Sequence, residues 1–197
     1  MKLNSISILN YKNIGEATLT FSPKVNCLIG NNGMGKTNIL DAIYYLSFCK
    51  SSTGQTDASV ITHDADFMML QGKYTRHDAD EEVSMGMQRG KRKTVRRGGK
   101  EYKRLSQHIG LLPLVMVSPA DWDLIRGTGE ERRRLMDMII SQGDKEYLAC
   151  RDCIHQGCGA AKCYHQKGVS RPAALRNRRA PDGYPRHLHS CGTKAVD

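Results

Sequence analysis

The chain has 197 residues, of which 39% are hydrophobic and 25% charged, with a formal charge of +10. This suits a globular domain with a real core, or a domain and a tail, rather than a disordered or fibrous chain. No apolar run approaches the ~20 residues that cross a bilayer and the N-terminus has no signal-peptide core, so a cytoplasmic protein with no membrane partner is expected; the charge favours a polyanion, with nucleic acid first.

Residues 2–9 alternate and predict a strand, although Leu3 is out of phase with Ile6 and Ile8. A turn at Gly15 and a second strand over 17–21 follow. The run Val25-Asn26-Cys27-Leu28-Ile29 reads as a short strand of the kind buried in a sheet. A glycine-rich turn comes next, and then Ile39, Leu40, Ile43, Tyr44 and Leu46 recur at helical spacing to about Phe48. Residues 50–66 are polar and loop-like. Strands are predicted over 67–74 and 83–88, then a hairpin over 89–104 turning at Gly98-Gly99. Leu111 to Val117 holds another short strand, Pro119 and Asp121 open a turn or helix start, and 130–140 is a helix with Leu135, Met138 and Ile139 on one side. Trp122 and Cys27 read as packing residues.

The glycine-rich turn carries the chemistry. Gly30-Asn31-Asn32-Gly33-Met34-Gly35-Lys36-Thr37 fits the Walker A spacing, with an apolar run before it and a helix after it. Its glycines let successive backbone N–H groups face one anion, and the helix adds its positive end. In such a loop the Lys36 ammonium reaches the β- and γ-phosphates. Thr37 offers a hydroxyl to Mg²⁺, which keeps several waters. ATP with Mg²⁺ is the ligand expected, held by all eight residues, with Thr37 as the one metal-side group. The bland alternative is a glycine turn that binds nothing.

Three blocks resemble the RecF family of bacterial recombination-repair ATPases, relatives of the SMC and Rad50 proteins. The first is Ile8-Leu9-Asn10-Tyr11-Lys12-Asn13-Ile14. The second runs from Asn26 to Tyr45 and includes Lys36-Thr37-Asn38-Ile39-Leu40-Asp41-Ala42-Ile43. The third is Ser118-Pro119-Ala120-Asp121 with Gly127 and Arg132-Arg133-Arg134-Leu135-Met136-Asp137. The resemblance covers about residues 1–150. It implies an α/β fold, a P-loop ATPase head of the ABC type with a mixed sheet. It also implies a protein that binds single-stranded DNA and duplex ends or gaps, works with RecR and RecO, and helps load recombinase in repair and the SOS response. ATP would be sandwiched in a homodimer of full-length members, and Lys12 and Asn13 would lie near the nucleotide. Another SMC- or Rad50-like ATPase, or a DNA-binding module holding nucleotide only as a structural ligand, is the alternative.

Two expected elements are absent from the sequence. Leu114-Val115-Met116-Val117 is apolar but runs into Ser118-Pro119 rather than an acidic pair, so no Walker B strand is recognised, and no signature motif follows. Hydrolysis needs a carboxylate that supports the metal and a group that orients water. No catalytic residue is therefore assigned, and unaided ATPase activity is not expected.

Residues 151–197 leave the pattern. They hold 9 basic and 3 acidic side chains, against 21 and 17 in residues 1–150. Five of seven cysteines lie at Cys150 or beyond. Cys150, Cys153, Cys158 and Cys163, with His155 and His165, offer loose zinc-ligand spacing. The plainer reading is an irregular tail translated out of frame. Read one nucleotide later, residues 151–167 permit the amphipathic string VIAYTKAVVQRNAIIK, whose Q-R-N resembles the family's next helix; the gene read in all three frames decides it.

Residues 89–104 hold nine basic side chains, namely Arg89, Lys91, Arg92, Lys93, Arg96, Arg97, Lys100, Lys103 and Arg104, against Glu101. Such a hairpin offers sequence-blind contacts to DNA phosphates, or is simply a solvated face. Arg132, Arg133 and Arg134 sit among Glu130, Glu131 and Asp137, at spacings that allow i,i+4 ion pairs.

Overall fold

The computed structural model describes residues 1–155. The chain divides into two units between Ala149 and Cys150. The elements below belong to the first, except for the end of the last helix. The zinc-spacing residues Cys158, Cys163 and His165 and most of the out-of-frame reading lie outside the described residues.

Six strands form one sheet in the order β2-β1-β3-β4-β5-β6. They are β1 (Lys2–Tyr11), β2 (Ile14–Thr20), β3 (Phe67–Arg76), β4 (Ala79–Gln88), β5 (Thr94–Arg97) and β6 (Lys100–Glu101). Every pairing among these described strands is antiparallel. The phase break at Leu3 has a physical cause. Register shifts between Leu3 and Ser5, so one extra residue in β1 turns Leu3 toward the same core as Ile6 and Ile8. The β1–β2 turn is at Lys12-Asn13, not Gly15, with Tyr11 paired to Ile14 and Lys12 at φ 53°. Gly98 and Gly99, at φ 53° and 78°, make the expected turn between β5 and β6.

Helix α1 (Lys36–Phe48) lies against the inner face of β1, β3 and β4. There Ala42, Tyr45 and Leu46 meet Ile6, Ile8, Met68, Leu70, Val83 and Met85, all buried. His108, fully buried, donates its Nε2–H to Leu46 O at 2.6 Å. A carbonyl can only accept, so this bond fixes the tautomer, and burial pulls the imidazole pKa below its ordinary value. The opposite face of the sheet is uncovered by any described element. It carries the row Leu9, Met69, Gly86, Thr94 and, next to it, Ser7, Gln71, Ser84, Arg96.

The remaining helices are α2 (Asp57–Val60), α3 (Asp123–Arg126), α4 (Gly129–Gly143) and α5 (Lys145–His155). Thr128 caps α4, its side chain accepting from Glu130 N. On α4, Leu135 and Met138 are half-buried as expected, but Ile139 is exposed.

Two expected strands do not form. Among the described residues, 25–29 and 113–118 pair with no strand, and Val25, Ile29, Val115 and Val117 are 80%, 93%, 75% and 83% exposed. Both runs have the apolar composition of interior strands, yet no described segment lies beside them to complete a ladder. Trp122 and Cys27 are also exposed rather than packed; Trp122 instead carries the Arg126 guanidinium 5.2 Å from its ring centroid.

Candidate nucleotide site

Of the eight Walker A residues, Gly30 to Gly35 form a loop at the mouth of α1, and Lys36 and Thr37 are the first residues of the helix. Gly30, Gly33 and Gly35 have φ of 156°, 83° and 85°; the last two lie in the left-handed region that glycine enters without strain. Gly35 is the N-cap of α1, and the first intrahelical bond runs from Ile39 N to Gly35 O at 2.9 Å. The amides of Lys36, Thr37 and Asn38 precede that bond and have no acceptor within the helix. No acidic side chain occupies the first turn, so nothing there offsets the positive end of the helix. Lys36 folds across the loop, its Nζ 2.6 Å from Gly30 O and 2.7 Å from Asn31 O. Asn31, Asn32, Met34 and Thr37 are exposed.

Asn13 braces this loop from the β1–β2 turn. Its Nδ2 donates to Gly33 O at 2.9 Å, and its Oδ1 accepts from Asn38 Nδ2 at 2.7 Å. A side chain at Gly35 would bring its Cβ within 3.0 Å of that same Oδ1. One asparagine thus touches the loop, the helix start and the glycine between them.

Lys12, grouped with Asn13 by sequence, points elsewhere. Its Nζ lies 2.6 Å from Asp41 Oδ2, with Ser51 Oγ and Thr53 Oγ1 each at 3.3 Å. Asp41 is fully buried on α1 and also accepts from Tyr11 Oη at 2.6 Å, Ser51 Oγ at 2.8 Å and Ser52 N at 2.6 Å. Burial acts to raise the Asp41 pKa, but Lys12, Ser52 and Tyr11 together outweigh it and bring it from 3.8 down to about 2. The sequence reading missed this cluster. Its signal was an aspartate inside an otherwise apolar helix stretch, which demands a cation or several donors.

The basic run 89–104 divides by role. The Arg89 guanidinium bonds the carbonyls of Ala65, Ala58, Thr62 and His63 at 2.8, 3.3, 3.0 and 3.2 Å, tying a loop together. Lys93 is largely buried, 2.7 Å from Asp57 Oδ2 and 2.6 Å from Cys49 O at the end of α1. Arg97 pairs with Glu81. Lys91, Arg92, Arg96, Lys100, Lys103 and Arg104 remain exposed. On α4, Arg134 makes the i,i+4 pair with Glu130 at 2.9 Å, whereas Arg132 and Arg133 bond backbone carbonyls.

The AAA ATPase domain family matches residues 1–94. The DNA replication and repair protein RecF of Parabacteroides distasonis is 58% identical over 148 residues, 75% of this chain. RecF of Phocaeicola vulgatus is 59% identical over 149 residues. Over its first 150 or so residues the chain is similar to the N-terminal part of RecF. It spans 40% of the length of these RecF relatives. Among solved structures, the recombination mediator protein RecF with ATP superposes at a TM-score of 0.72, with 24% identity over 85% of this chain and 47% of that one. An SMC ATPase described for ATP-driven dimerization superposes at 0.58, with 17% identity over 71% of this chain and 99% of that one. The fold is therefore the α/β fold of RecF and SMC ATPase heads. Among the described residues, no helix is long and apolar enough to cross a membrane.

Proposed function

We propose that this RecF-type segment holds Mg²⁺-ATP in the loop Gly30 to Thr37. The observation that carries the reading is the arrangement at the start of α1: three amides without helical acceptors, a lysine folded over the loop and an exposed threonine hydroxyl. These groups suit a triphosphate. The amides and the positive helix end would take phosphate oxygens, Lys36 would swing from the Gly30 and Asn31 carbonyls to the β- and γ-phosphates, and Thr37 would ligate Mg²⁺. Bound ATP would supply a charge that changes on hydrolysis. Leu114-Val115-Met116-Val117 runs into Ser118-Pro119 rather than an acidic pair, so the reading assigns nucleotide binding to this segment and no group for hydrolysis.

The finer reading follows the relatives. RecF is a DNA replication and repair protein, and the family's work is on single-stranded DNA and duplex ends or gaps, with RecR and RecO as partners, recombinase loading as the outcome and the SOS response as the setting. For this chain the support is the cationic surface of Lys91, Arg92, Arg96, Lys100, Lys103 and Arg104. Full-length members would pair as an ATP-dependent homodimer in the cytoplasm. Titration calorimetry with Mg²⁺-ATP is the test: wild type should bind and Lys36→Ala should not. If wild type gives no binding heat, the nucleotide reading fails. If Lys36→Ala leaves DNA affinity in the presence of ATP unchanged, the nucleotide has no part in DNA binding.

A further inference from the structure

We propose that the open face of the sheet holds an unpaired base of single-stranded DNA in the trough over Gly86. The inference rests on the reading that this chain binds DNA and assigns a place and a strandedness to that binding. The trough encloses about 400 Å³. Gly86 forms its floor, between Met69 on β3 and Thr94 on β5 in one row across the sheet. A Cβ at Gly86 would meet only Thr94 Oγ1, at 3.5 Å, so the missing side chain is what opens the space.

The two sides of the trough differ in chemistry. Phe67 and Met69 stand on one side, 48% and 41% exposed, although their strand neighbours Met68 and Leu70 are buried. Lys91, Arg92 and Arg96 stand on the other side, exposed and in no ion pair among the described residues. Among the described residues, no aspartate or glutamate lines the space. An apolar wall facing a cationic wall matches one nucleotide unit, with the base against Phe67 and Met69 and the phosphates toward Lys91, Arg92 and Arg96. Along a duplex the base faces are hidden by stacking, so a duplex body would use the cations through its phosphates and leave the apolar wall without a base to stack on. Charge decides against an apolar peptide: three unpaired cations at its edge would be desolvated without a partner. The volume, near the lower end of the ~300–1,000 Å³ typical of ligand clefts, fits a single unit rather than a helix.

Fluorescence anisotropy tests this with the full chain, an oligo-dT, an abasic oligomer of equal length and a blunt duplex. Gly86→Val fills the trough and Phe67→Ala removes its aromatic wall; neither touches the core, and melting curves matching wild type check that. Each substitution should weaken oligo-dT binding by on the order of tenfold, as loss of one base–aromatic stack does, and leave duplex binding as it was. Wild type should bind the abasic oligomer about as weakly as Gly86→Val binds oligo-dT. Oligo-dT binding untouched by either substitution overturns the trough while the DNA reading stands. Equal weakening of oligo-dT and duplex also overturns it, since then only phosphates are read. Wild type binding no DNA at all overturns both.

Discussion

The Lys12 ammonium lies 2.6 Å from the carboxylate of Asp41, in a pair whose side chains are 10% and 1% exposed. One partner comes from the turn that also carries Asn13, the other from the helix that the Walker A loop opens. The pair therefore fastens the β1–β2 turn to α1 one turn beyond the loop.

Removing one partner leaves a buried charge without its counter-ion. Lys12→Met should cost about 3–5 kcal/mol in urea unfolding. Asp41→Asn should cost a similar amount, because it strands the Lys12 ammonium and its single amide oxygen cannot accept at both of the sites that Tyr11, Ser51 and Ser52 now donate to. Because the folded pKa of Asp41 is lowered from 3.8 to about 2, its contribution is complete above 3.8 and disappears as pH falls through about 2. Acid unfolding of Asp41→Asn should lack that part of the pH dependence.

Asn13 touches the loop through one donor and one acceptor at an exposed position. Asn13→Ala should lower Mg²⁺-ATP affinity by about fivefold, the worth of about one net hydrogen bond. The melting temperature should barely move. Calorimetry beside thermal unfolding separates a loosened loop from a damaged fold.

Two cysteines should react very differently. Burial pushes the Cys49 thiol up to about 12, and Lys93 nearby only partly opposes it. Cys27 is exposed. Iodoacetamide at pH 8 followed by peptide mass mapping should find Cys27 alkylated and Cys49 protected, with the difference gone in urea.

Arg89 belongs to the basic run by sequence and to the loop scaffold by geometry. Arg89→Ala should destabilise the fold by about 1–2 kcal/mol and leave the salt dependence of DNA binding unchanged. Neutralising Lys100, Lys103 and Arg104 to glutamine should do the reverse, lowering the slope of log affinity against log salt. Anisotropy titrations over a salt series distinguish the two.

What was legible in the sequence was local. Period-2 alternation located β3 and β4, helical spacing located α1 and α4, and the glycine pair located the β5–β6 turn, because each is set by neighbours in the chain. Leu3 failed by parity alone, since a bulge is visible only against a partner strand. Gly15 drew the turn wrongly because Lys12 takes the left-handed conformation instead. In the site, the loop was legible as a spacing, whereas the Lys12–Asp41 and Lys93–Asp57 pairs join residues about 30 and 36 apart and no local pattern announces them. The runs at 25–29 and 114–117 were read as interior strands from composition, and composition does not say where the neighbouring strand comes from.

Those two unpaired runs set how the purified protein should behave in a tube. Among the described residues no strand pairs with either run, and each exposes large aliphatic groups, which is the combination that lets one copy zip onto another. Solutions should turn cloudy as protein concentration rises, and a lysine placed in each run, at Ile29 and at Val117, should keep them clear.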